Sequence, residues 1–191
     1  MDYRTRRLTY LGLLIALAVV LTRYASVRLP IAGVENIRIG FGHFPIIMAG
    51  VLYGPIAGAG AGALADLIGF ALSPMGVYMP HFTVASALTG LLPGVLLSVW
   101  RPQGAGVPSF ARLLVSIALT QLLIAVVLTS YALWLLFGHP FAFTLVTRLV
   151  TQAFLVPLYA SVMHLVFRSV NGLAPTWERS AFAREVAAAK D

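Results

Sequence analysis

Between Arg38 and Arg101 the chain carries one charged residue, Asp66. The rest of that stretch is apolar or small, as in GFGHFPIIMAGVLYGPIAGAGAGALADLIGF and PHFTVASALTGLLPG. An unpaired charge is expensive in a protein core and in a bilayer, so a carboxylate in this setting needs a partner, either a side chain or a ligand. Composition decides the solvent. Hydrophobic residues make up 60% of the chain and charged residues 10%, with a mean hydropathy of +0.91. Soluble domains hold roughly 45–50% and about 25% of these classes, so the sequence is that of an integral membrane protein. Its 191 residues suit a single domain.

The apolar runs predict an all-α protein of six transmembrane helices, over about 8–27, 39–53, 56–72, 81–100, 113–137 and 141–167, followed by a cytoplasmic tail over 168–191. Arg4, Arg6 and Arg7 crowd just before the first run. A signal peptide has such a charged head, but no small-residue cleavage site follows, and Thr22, Arg23 and Tyr24 interrupt instead. Leu29 to Arg38 reads as a polar connection, Gly54-Pro55 and Gly138-His139-Pro140 as tight turns, and Ser73 to Pro80 as a loop. Pro157 removes a helical hydrogen bond and predicts a kink in the last span. The tail, with Arg179, Ala183, Val186 and Ala187, is weakly amphipathic.

The formal charge of +7 lies mostly on arginines at the ends of apolar runs, which reads as topology rather than nucleic-acid binding. Arg101, Arg112 and Arg168 join the N-terminal arginines on one side, so both termini are expected in the cytoplasm. The other side receives Arg23, Arg28, Glu35 and Arg38. Arginines gathered near one outer loop suit an anionic ligand, although each can also snorkel to the interface.

Gly54, Gly58 and Gly62 stand four apart with alanines interleaved, leaving one side of the third helix without bulk for a close helix contact. Asp66 continues that stripe by one turn, which points the acid into the bundle. Arg148 on the last helix sits at a matching depth, on the order of 10–12 Å below the outer surface at about 1.5 Å per residue. The pair reads either as an internal ion pair or as two walls of an outward-facing pocket. His43 and His81 lack further ligands at metal-binding spacing, so no metal is expected. The absence of cysteine excludes disulfides and thiol chemistry. No G-x-x-x-x-G-K-[ST] loop is present for ATP, and neither a nucleophile elbow nor H-E-x-x-H occurs, so no catalytic residue and no cofactor are assigned.

Several segments together carry a family resemblance: LTRYAS at Leu21 to Ser26, RIGFGHFPIIMAGVLYGP at Arg38 to Pro55, GALADLIGF at Gly62 to Phe70, YMPHFTVASALTGLLPG at Tyr78 to Gly94, and RLVTQAFLVP at Arg148 to Pro157. In order and spacing they resemble the substrate-binding S component of energy-coupling factor (ECF) vitamin transporters, of the folate type. The resemblance implies a multi-pass protein of the bacterial cytoplasmic membrane that captures a vitamin from outside with high affinity. It also implies docking on a separate module of one transmembrane scaffold and two ATPases, whose ATP cycle topples the S component. Gly12 and Ala16 match the small residues of that family's docking face, with glycine in place of the usual alanine; otherwise the pair packs inside the bundle.

Arg23 and Arg148 match arginines of the folate-type pattern, whereas Thr151 replaces a frequent lysine and Ala132 separates Tyr131 from a displaced Trp134. Folate chemistry suits the groups present: the ring's donor edge for Asp66, flat faces for Tyr78, Phe82 or Trp134, and an anionic tail for Arg23, Arg38 and Arg148. Another water-soluble vitamin such as pantothenate is the main alternative. An intramembrane enzyme or a small structural membrane protein are readings from other classes.

Overall fold

The computed structural model describes residues 3–24, 26–31, 34–73, 78–100, 108–138 and 140–169. The order is α1 (Tyr3–Arg23), β1 (Ser26–Ile31), β2 (Val34–Gly40), α2 (His43–Tyr53), α3 (Pro55–Leu72), α4 (Pro80–Val99), α5 (Phe110–Gln121), a π-helical segment (Leu122–Leu128), α6 (Thr129–Phe137) and α7 (Phe141–Ser169). The segment from α5 through α6 is one continuous span, so the described residues hold six helical spans, as the apolar runs predict. Four of them, Pro55–Leu72, Pro80–Val99, Phe110–Leu136 and Phe141–Ser169, are long and apolar enough to cross a membrane. The loop 101–107 and the tail from 170 onward lie outside the described residues.

The first two expected spans need correction. α1 starts and ends about one turn earlier than expected, because the basic residues before Leu8 are themselves helical. The polar connection is an antiparallel hairpin, with Ser26 opposite Gly40 and Arg28 opposite Arg38. Its second strand takes up the start of the expected second span, so α2 has only 11 residues. At about 1.5 Å per residue that is about 16 Å, half of a hydrocarbon core about 30 Å thick. The β-branched and alternating pattern of SVRLPI and VENIRIG suits strands, and the alternation is clearer there than any helical period.

Non-helical backbone at membrane depth must be covered by protein or water. Here the hairpin packs on α7, and Tyr159 Oη donates to the Gly40 carbonyl at 2.8 Å. Tyr159 is buried against Phe44, with ring centroids 6.0 Å apart. It lies about 27 Å along α7 from Phe141, so β2 ends deep in the bundle. α7 remains helical through Pro157.

Three helices meet almost backbone to backbone. α2 ends at Gly54, whose φ of 94° is strained for other residues, and Pro55 opens α3 with a φ already set for a helix. A methyl group at Gly50 or Gly58 would overlap the Gly90 carbonyl oxygen, and one at Gly62 would overlap that of Ser86. Ser86 Oγ donates to the Gly62 carbonyl at 2.8 Å across the same contact. The glycine stripe of α3 is thus a packing face. Beside it, Ile47, Leu113, Ile117, Tyr159, Ala160 and Met163 form the fully buried apolar core of α2, α5 and α7.

Side-chain ties fix which helix ends share a face. Arg7 Nη2 donates to the Tyr53 carbonyl at 2.7 Å and lies over the Tyr53 ring, joining the start of α1 to the end of α2. At the opposite face Arg23 Nη1 donates to the Ser73 carbonyl at 2.7 Å, joining the ends of α1 and α3. Each cation meets orphan carbonyls at a helix C-terminus, where the helix dipole also favours it.

The same substitution should act in opposite directions at two neighbouring glycines. Gly58→Ala is expected to destabilise by at least about 2 kcal/mol, because backbone cannot yield as a side chain can. Gly60 has nothing within 4 Å of an added methyl group, so Gly60→Ala should be neutral or stabilise by up to about 1 kcal/mol. Thermal unfolding of both variants in one detergent measures the difference.

Candidate functional site

Asp66 is half-buried on α3, one turn beyond the glycine face. The α3–α4 register that seats Gly62 on Ser86 brings Thr83 to Asp66, and Thr83 Oγ1 donates to Asp66 Oδ2 at 2.6 Å. The Thr83 proton is therefore committed, so the Tyr78 hydroxyl, 2.8 Å away, acts as donor to Thr83. Tyr78 also packs on Phe70, with centroids 5.2 Å apart. The result is a relay from Tyr78 through Thr83 to the carboxylate. Arg23 lies near it: its guanidinium covers Gly69, within 3.2 Å of where a methyl group would stand, on its way to Ser73. Asp66, Gly69 and Ser73 share one face of α3 by helical spacing, so the cation and the acid line the same face.

The other charged residue is set by an irregularity of the fifth span. At the end of the π segment the Thr129 N–H bonds to the Ile124 and Val126 carbonyls and skips Ala125. Arg148 Nη1 donates to that skipped carbonyl at 3.1 Å. Thr129 Oγ1 reaches the Ile124 carbonyl at 2.8 Å. A π turn widens the helix and releases backbone acceptors, which is why such turns often hold functional side chains. Asp66 and Arg148 therefore take different near partners, Thr83 and Ala125.

Arg148 belongs to a ladder. Along α7, Thr144, Arg148 and Gln152 stand four apart; along the fifth span so do Gln121, Ala125 and Thr129. The two run antiparallel, so Gln121 Nε2 meets Gln152 Oε1 at 3.2 Å one turn from the Arg148 contact. Gln121, Thr129 and Thr144 are buried, and Arg148 and Gln152 half-buried. In a bundle with an apolar outer surface this is a polar seam.

An apolar cleft of about 160 Å³ lies between the start of α4 and the π segment and α6, lined by His81, Phe82, Val84, Ala85, Leu128, Thr129 and Ala132. Its walls suit a flat, apolar-faced group. The rings of His81 and Phe82 pack on each other with centroids 4.1 Å apart.

The predicted site residues thus divide. Asp66 and Tyr78 are joined through Thr83 where α3 ends and α4 begins, Arg23 lies along the same face of α3, Phe82 lines the cleft, and Arg148 stands on the π segment. Trp134 is half exposed, packed on Tyr131 at 5.8 Å, and is not among the cleft residues. Arg38 is placed in β2, and its side chain lies outside the described residues. Gly12 and Ala16 are exposed on α1, with nothing within 4 Å of a methyl group at Gly12. The sequence reading missed Thr83, Gln121 and Gln152. The glutamines were visible as polar residues in apolar runs, by the same logic as Asp66; Thr83 and the π turn left no comparable signal.

The comparisons with known proteins agree with this architecture. The folate transporter FolT of Clostridium novyi (strain NT) is 30% identical over 164 residues, covering 86% of this chain and 89% of its own. A solved structure of FolT bound with folic acid superposes with a TM-score of 0.71 at 24% identity, covering 86% of this chain and 96% of that one. The S component for biotin from an ECF-type ABC transporter gives 0.66 at 18% identity, over 91% and 97%. At those identities the structures establish the fold. The family model for the ECF-type riboflavin transporter S component matches residues 2–167, so the chain belongs to that family of ECF S components, membrane-embedded transporter subunits and not enzymes.

Proposed function

We propose that this protein is the high-affinity substrate-binding subunit for a folate-like vitamin, loaded from outside the bacterial cytoplasmic membrane and docked on a separate scaffold carrying two ATPases. The observation that carries the ligand class is the relative: a folate transporter that is 30% identical over nearly the whole chain. The geometry supports it. An acid, a flat cleft and two arginines lie toward the end of the bundle where α3 ends and α4 begins. Placing that end outside follows from the cytoplasmic excess of arginine. The lack of a nucleotide-binding loop makes the coupling partner necessary. Riboflavin is the second reading, because the matching family model is of the riboflavin type.

Mass spectrometry of ligand extracted from purified protein tests the reading directly: a pteridine is expected, a flavin supports the second reading, and an unrelated vitamin such as pantothenate rejects both. Asp66→Asn should lower folic acid affinity by about 30-fold to several-thousand-fold, on the order of 2–5 kcal/mol, since a donor would then face the ring's donor edge. Its ligand-free stability should change little, because the amide oxygen still accepts from Thr83. Calorimetric affinity beside thermal stability separates the two; unchanged affinity with a large loss of stability removes Asp66 from the ligand.

Gly12 and Ala16 test docking. Both are exposed, so Gly12→Leu and Ala16→Leu should leave folding and ligand affinity within about 0.5 kcal/mol of wild type. Close approach of a partner helix would be blocked. Co-purification with the ATPase-bearing module and vitamin uptake should both fall to background, and retention of both would place docking elsewhere.

A further inference from the structure

Gln121 and Gln152 face each other across the seam between the fifth span and α7. Gln121 is wholly buried, yet its Oε1 has no hydrogen-bond partner. Its Nε2 spends one bond on Gln152 Oε1 at 3.2 Å, at the long end of the useful range. Leaving a carboxamide oxygen unmet inside a membrane bundle is costly, and a leucine of similar volume would avoid the cost. Gln152 is half-buried, so the rung is less enclosed on α7 than on the fifth span. With one lone pair of its Oε1 engaged by Gln121, the Gln152 amide still has both N–H donors to offer.

An unmet acceptor on one amide stands beside a donor on its neighbour. That order matches a lactam edge, a ring N–H next to a ring carbonyl, in two parallel hydrogen bonds. The rung lies one turn beyond Arg148, farther from the start of α7. A ligand with an anionic tail toward the α7 start and a lactam-bearing ring at the other end would span the two.

We propose that Gln121 and Gln152 together read the lactam edge of the ligand's ring, and so form the specificity element at the inner end of the site. This rests on the vitamin reading above, since both a pterin and a flavin carry such an edge; in a pterin the ring N–H then goes to Gln121, and Asp66 takes the exocyclic amine of the donor edge.

The test uses the full chain in lipid nanodiscs, titrated with folic acid, pterin-6-carboxylate (ring without tail), p-aminobenzoylglutamate (tail without ring) and riboflavin. Gln121→Leu and Gln152→Leu should each weaken the ring-containing ligand that wild type binds by about 30- to 300-fold, and the tail fragment by less than about threefold. Gln152→Glu, which turns the donor into an acceptor, should match Gln152→Leu for the ring. Ligand-free melting temperature should stay level or rise in Gln121→Leu, because the orphan acceptor is gone. Wild-type binding with unchanged ring affinity in both leucine variants overturns the proposal, as does equal loss of ring and tail with a lowered melting temperature. If wild type takes none of these ligands, the vitamin reading itself fails, a result distinct from either.

Discussion

The backbone contact between α3 and α4 is the interaction on which the remaining geometry depends. Two helices can approach this closely only where both lack side chains, and glycines at 58, 62 and 90 provide that on facing surfaces. Because the contact leaves no slack, it fixes the register of α3 against α4. One turn further along the same register, Asp66 arrives at Thr83. The position of the carboxylate is therefore a consequence of glycines that never touch it. α2 joins the contact through Gly50, and the turn at Gly54 allows it to do so.

The seam between the fifth span and α7 is built on a different principle. There polar groups face one another, and the helix gives up regular hydrogen bonding to provide an acceptor for Arg148. Small-residue packing needs no hydrogen bonds across it and tolerates a dry bilayer. A polar seam is retained at a cost unless something uses it. One side of the bundle is thus tightly interlocked, whereas the fifth span on the other buries Ser116, Gln121 and Ser130 with side-chain oxygens that have no hydrogen-bond partner.

Much of this was legible in the sequence, for identifiable reasons. The six spans followed from long apolar runs, and the role of Gly58 and Gly62 from their four-residue spacing. Asp66 announced itself as a charge without neighbours. The hairpin did not, because a polar stretch between two apolar ones reads as a surface loop unless one knows that the bundle has room for it. That room exists only because α2 is half-length, and the alternation of VENIRIG that marks the strand is short and runs straight into the apolar run containing α2. Trp134 shows what residue type alone leaves open: an aromatic residue near an expected site was assigned to it by kind, and its rotation on the helix, which sets it half exposed beside Tyr131, could not be read from the sequence. The π turn lies beyond such reasoning altogether, since LLIAVVL is an ordinary helical sequence.

The hairpin gives the protein a division of labour between lengths that can vary and lengths that cannot. α2 is anchored at one end by Arg7 on the Tyr53 carbonyl and at the other by the turn that hands Gly40 to Tyr159. Inserting a residue into α2 would rotate its glycine off the α3–α4 contact by about 100° at 3.6 residues per turn. A strand pair has no such rotational lock at its tip, between Ile31 and Val34. A descendant of this chain could lengthen or shorten the hairpin between Ile31 and Val34 without changing the register of α2 against α3 and α4. The hairpin and the helical scaffold are thereby free to evolve at different rates.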